Sequence, residues 1–70
     1  MTKKVVSEWL KQAEESAAKW EKRRVEVESN LQSNPQDRDS EVLKSYVIFI
    51  LSDLTGIIDN LKFMLKREFD

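Results

Sequence analysis

Residues 43–64 read LKSYVIFILSDLTGIIDNLKFM, and Leu43, Val47, Ile50, Leu54, Ile57, Leu61 and Met64 in it are spaced alternately four and three apart. A 3.5-residue apolar period is the seam of an α-helix that packs along its length against other helices, as in a coiled coil. Toward the N-terminus a second series of the same spacing runs through Val6, Leu10, Ala13, Ala17, Trp20, Arg24, Val27 and Leu31. Between them lies Ser33-Asn34-Pro35-Gln36-Asp37-Arg38-Asp39, polar and rich in turn formers. The pattern predicts an all-α chain forming one domain over residues 1–70. Its architecture is an antiparallel two-helix hairpin: helix 1 over about 3–32, a turn over about 33–38, and helix 2 over about 39–69.

The two series fit each other. A reversal near residue 37 sets Leu31 against Leu43, Val27 against Val47, Arg24 against Ile50 and Trp20 against Leu54. The same register continues through Ala17 with Ile57, Ala13 with Leu61 and Leu10 with Met64. Small alanines thus meet large aliphatics, the alternation that lets layers interdigitate. The outer face of helix 1 carries opposite charges four apart: Lys4/Glu8, Lys11/Glu15, Glu15/Lys19, Lys22/Glu26 and Arg24/Glu28. Such pairs contribute about 0.2–0.5 kcal/mol each and mark a solvated face. Asn34-Pro35 suits an N-cap followed by proline at the first helical position, with Asp39 as the alternative cap one turn later. Gly56, inside helix 2, costs about 1 kcal/mol relative to alanine, which points to a steric use.

Composition narrows the function. Apolar residues at 40% are too many for a disordered tail, and 12 basic against 13 acidic residues leave no net field for nucleic acid or an anionic membrane. Histidine and cysteine are both absent, which removes the commonest general base, the commonest metal ligand and any disulfide. There is a single glycine, hence no glycine-rich phosphate loop, and Glu14-Glu15 has no histidine beside it for a bundle-type metal pair. No catalytic residue, cofactor or metal site is expected, and the chain reads as non-enzymatic. The segment after Lys3-Lys4 is too polar for a secretion signal, so cytoplasmic location is the default expectation.

Helix 2 is apolar beyond one seam. Tyr46, Phe49, Leu51, Ile58, Phe63 and Leu65 lie off the main series and form the expected oligomer or partner interface. The simplest cover is a second copy of the chain, giving a homodimeric four-helix bundle, with a tetramer as a further possibility. A different protein accepting helix 2 in a groove is the alternative. Lipid is disfavoured because Asp53, Asp59, Asn60 and Lys62 interrupt any span and the polar face is not rich in basic residues.

Arg24, alone among charged residues in occupying a seam layer, reads either as a snorkelling side chain paired with Glu28 or as a register device. Lys19, Lys22, Arg23 and Arg24 surround Trp20, but Glu15, Glu21, Glu26 and Glu28 lie among them, so a charged solvated face is the better account than a nucleic-acid patch. Trp9 and Trp20, eleven apart, read as packing anchors, with Asp53 placed to accept the Trp20 N–H. In layout the paired hairpin resembles the Rop-like plasmid regulators, which implies nucleic-acid contact through the helix 1 face. The hairpin also resembles the small two-helix chaperones of type III secretion systems, which implies an obligate protein partner. The leading expectation is a homo-oligomeric regulatory or adaptor module that acts by protein–protein contact.

Overall fold

A computed structural model of the chain describes residues 2–69. Two helices, α1 (Lys3–Ser33) and α2 (Arg38–Phe69), pack side by side, with no strand among the described residues. The molecule is a rod of 49 × 14 × 14 Å. Its radius of gyration, 15.7 Å, exceeds the roughly 11 Å of a compact domain of this length. A single pair of 30-residue helices has no third element to fold over it.

Local chemistry sets the helix ends. Thr2, extended at φ −90° and ψ 154°, accepts the Val5 N–H on its hydroxyl at 3.3 Å and begins α1. The connection closes without any residue at positive φ. Asn34 supplies the turn twice: its carbonyl accepts the Asp37 N–H at 3.1 Å, and its side-chain oxygen accepts the Gln36 N–H at 3.3 Å. Pro35 is the second residue of that turn, where its fixed φ is pre-set. The cap of α2 is neither Asn34 nor Asp39 but Asp37, whose carboxylate accepts the Ser40 N–H at 3.2 Å and the Ser40 hydroxyl at 2.7 Å. Asn34 uses its carbonyl and side chain on the turn and Asp37 takes the cap, so the helix starts three residues later than an Asn-Pro cap would start it. α2 then runs with its dipole, Asp39 and Glu41 in the first turn and Lys66 and Arg67 in the last. α1 has no such charges at its ends.

The Ser40 hydrogen bonds hold the Asp37 carboxyl below its ordinary pKa. A carboxyl with a depressed folded-state pKa adds stability above its unfolded pKa, and that stability is lost as pH falls through the folded value. Asp37→Ala is therefore expected to lower the thermal midpoint at pH 7 by about 4–8 °C, followed by circular dichroism. Asp37→Asn keeps an acceptor for Ser40 but cannot titrate. It should retain most of the midpoint at pH 7 and lose part of the wild-type decline between pH 5 and pH 3; an unchanged acid limb would exclude this role.

The covered stripe of α1 consists of Val6, Leu10, Ala13, Ala17, Trp20, Arg24, Val27 and Leu31, with Glu28 beside it. On α2 the covered positions are Ser40, Lys44, Val47, Leu51, Leu54, Ile58, Leu61 and Leu65, again alternately four and three apart, with Ile50 half-buried at the edge. Val47, Leu54 and Leu61 belong to the expected seam, but their companions are Leu51, Ile58 and Leu65. Leu43 is 51% exposed, Ile57 48% and Met64 38%, which removes them from the hairpin seam. At 100° per residue this is a roll of α2 by about 50° about its axis. The turn supplies the reason. With only four residues between the helices, the first turn of α2 is drawn against α1 at Ser40, a small side chain already tied to Asp37 and 6% exposed.

Near the turn, Lys44 lines one shallow groove with Glu28, Leu31 and Gln32, and another with Leu31, Pro35, Glu41, Ser45 and Ile48. Glu28 of α1 and Glu41 and Ile48 of α2 thus share one side of the hairpin, which is largely polar. The aromatic and aliphatic surplus of α2 lies on the opposite side and back.

Candidate functional site

Rolling α2 onto Leu51, Ile58 and Leu65 leaves two parallel columns outside the seam, exposed except for the half-buried Ile50. One holds Leu43, Ile50, Ile57 and Met64; the other holds Val42, Phe49, Gly56 and Phe63. Each column repeats every seven residues, about two turns or 10.5 Å. Phe49 is 64% exposed, Phe63 62% and Tyr46 60%, more than a soluble monomer usually leaves on contiguous large side chains. Between the columns runs a third line, Tyr46, Asp53, Asn60 and Arg67, exposed throughout. Gly56 sits midway between Phe49 and Phe63, and a β-carbon there would meet nothing within 4 Å. Packing inside the hairpin therefore gives no reason for the glycine.

Of the interface expected from sequence, Tyr46, Phe49 and Phe63 lie together on this ridge. Leu51, Ile58 and Leu65 do not; they are half-buried on the side facing α1. In exchange the ridge gains Val42, Leu43, Ile57 and Met64, which sequence reasoning assigned elsewhere or passed over. A signal for them existed. Val47, Leu54 and Leu61 are flanked by an apolar column on each side, and one neighbouring helix can cover only one of the two.

Arg24 is half-buried and bound within its own helix. Its guanidinium donates to both oxygens of Glu28 at 2.9 Å and, through Nε, to Glu21 at 3.0 Å. The Arg24 hydrogen bond holds the Glu21 carboxyl below its ordinary pKa, and hydrogen bonds to Glu21 and Glu28 push the Arg24 guanidinium further up. Both partners lie on α1. Among the described residues, Arg24–Glu28 is the one ion pair formed of those expected four apart.

Trp20 is half-buried, with the Arg23 guanidinium 4.3 Å from its ring centroid. Among the described residues its N–H makes no hydrogen bond to Asp53, which is exposed. The Arg23 guanidinium thus covers one face of the ring. Arg67 stands over its own Phe63 ring at 6.0 Å. Among the described residues, no group of three or more potential ligands is placed to hold a metal ion, and no helix is long and apolar enough to cross a membrane.

The accessible surface is 5598 Å². A compact monomer of 8.3 kDa exposes about 4,600 Å², so the rod leaves roughly 1,000 Å² more in water. Among the described residues, only Val6 and Val47 are buried apolar side chains. That surplus matches what one partner contributes to a standard interface, about 800 Å². No family model matches the chain, and the comparisons found no match among curated proteins or solved structures.

Proposed function

We propose that the chain is a small non-enzymatic helical-bundle protein that works by protein–protein contact, its two helices pairing with those of a second copy in a four-helix bundle. In this reading it serves as a regulatory or adaptor module, with the ridge of α2 closed inside the assembly and the charged outer face of α1 presented to others. The observation that carries it is the line of Leu43, Tyr46, Phe49, Ile57, Phe63 and Met64 left exposed on α2. Supporting it, the surplus surface of roughly 1,000 Å² per chain is of the size a stable dimer covers. Among homo-oligomers, closed two-fold dimers are the commonest form.

Size exclusion with light scattering over at least a tenfold dilution tests this. The expected result is a species of twice the 8.3 kDa chain mass that persists on dilution and melts cooperatively. A monomer at every concentration would sink the homo-oligomer and turn attention to a heterologous partner whose groove takes the same ridge.

A further inference from the structure

We infer that the two copies meet through α2 against α2, antiparallel, about a two-fold axis passing beside Gly56 and Ile57. This rests on the homodimer proposed above and specifies its geometry. Three features fix it. The first is Gly56, an unexplained gap in the middle of an exposed apolar helix face, with open space where a side chain would stand. Helix axes pack 8–10 Å apart according to the side chains between them, and a glycine on each helix at the crossing permits the near end of that range.

The second is symmetry in the sequence. Phe49 and Phe63 flank Gly56 at seven residues on either side. In an antiparallel pair centred there, Phe49 of each copy lies over Phe63 of the other. Ile57 meets its own copy, and Ile50 meets Met64. Large side chains fill the space on both sides of the close approach, and no apolar residue of the two columns from 49 to 64 lacks an apolar neighbour.

The third is charge. The line between the columns reads Tyr46, Asp53, Asn60, Arg67. Centred on Gly56 and Ile57, the antiparallel pair sets Asp53 beside Asn60, a carboxylate beside an amide donor, and Tyr46 beside Arg67, a ring beside a guanidinium. A parallel pair would set Asp53 on Asp53 and Arg67 on Arg67. An antiparallel pair centred one turn earlier, near Asp53, would again oppose two carboxylates. Like charges facing each other in a desolvated contact select against both.

The chain has no cysteine, so single cysteines report the register directly. Asp53→Cys and Asn60→Cys chains are mixed and oxidised under mild conditions at a concentration where light scattering shows the dimer. The expected product is the mixed 53–60 disulfide, with each variant alone giving little. In this register identical positions 53 are about 10.5 Å apart along the axis, beyond disulfide reach. Self-linked 53–53 dimers would overturn the proposal in favour of a parallel or shifted pairing. No disulfide in a protein that scatters as a dimer would place the contact elsewhere and overturn this geometry alone. A monomer in the same scattering run would remove the homodimer reading beneath it. As a second readout, Gly56→Leu should weaken dimerisation at least tenfold while the monomeric helix signal holds or rises. A Gly56→Leu dimer as tight as the parent overturns the crossing at Gly56.

Discussion

Replacing Val47 by aspartate is expected to abolish the folded hairpin. Val47 is 3% exposed, the most deeply covered side chain of α2. Its removal forfeits about 1.5–2 kcal/mol of apolar burial, and a carboxylate stranded there without a partner costs roughly 3–5 kcal/mol more. A 70-residue chain has on the order of 3.5–10 kcal/mol to lose. The helical signal at 222 nm should therefore collapse at 25 °C, or the thermal midpoint should drop by about 20 °C or more. Val25→Asp is the control: Val25 is exposed on α1, and that change should cost little. Equal losses from both would mean that the seam at Val47 does not hold the helices together.

The double change Phe49→Glu and Phe63→Glu acts on the other side of the same helix. The proposed dimer would bury four of these rings, each recovering about 1–2 kcal/mol from the exposure it has in the single chain. Their loss, before any repulsion between the new carboxylates, weakens association by about 4–8 kcal/mol, or roughly 10³- to 10⁶-fold. The expected result is a monomer in light scattering at concentrations where the parent is a dimer. Leu51→Ala should do the reverse, lowering the midpoint of the hairpin while leaving the ridge intact. If the glutamate variant keeps the parent's mass, the aromatic ridge is not the contact.

The contrast between those two variants shows what was legible in the sequence. The stripe of α1 could be read directly because charged residues flank it on both sides, so only one face can turn inward. α2 offers no such contrast. Val47, Leu54 and Leu61 have Leu43, Ile50, Ile57 and Met64 on one flank and Leu51, Ile58 and Leu65 on the other. The first flank is the longer unbroken apolar run, and period alone selects it. The structure selects the second, with Ser40 and Lys44 extending it toward the turn. Hydrophobicity within α2 alone does not make the choice, since both flanks are apolar. The same ambiguity put Leu51, Ile58 and Leu65 on the exposed side, while Tyr46, Phe49 and Phe63 could be read as exposed because they lie on neither candidate seam. The charge pairs failed differently. Exposed lysines have little reason to hold one rotamer, and the pair that forms is the one whose arginine is half-buried.

Val6, the other fully covered side chain, lies at the end of α1 away from the turn, where the antiparallel course sets it against the last turns of α2. Folding that begins at Asn34–Asp37 and closes outward reaches it last, after most of the chain between has been ordered. Loop-closure entropy grows only by about 0.6 kcal/mol per doubling of length, so the final contact adds little new cost once the preceding layers are in place. The rod is thus fastened at both ends, by a hydrogen-bonded cap at one and by a valine at the other. Opening from the free ends, the usual route by which a helical hairpin frays, must release Val6, the best-buried side chain among the described residues.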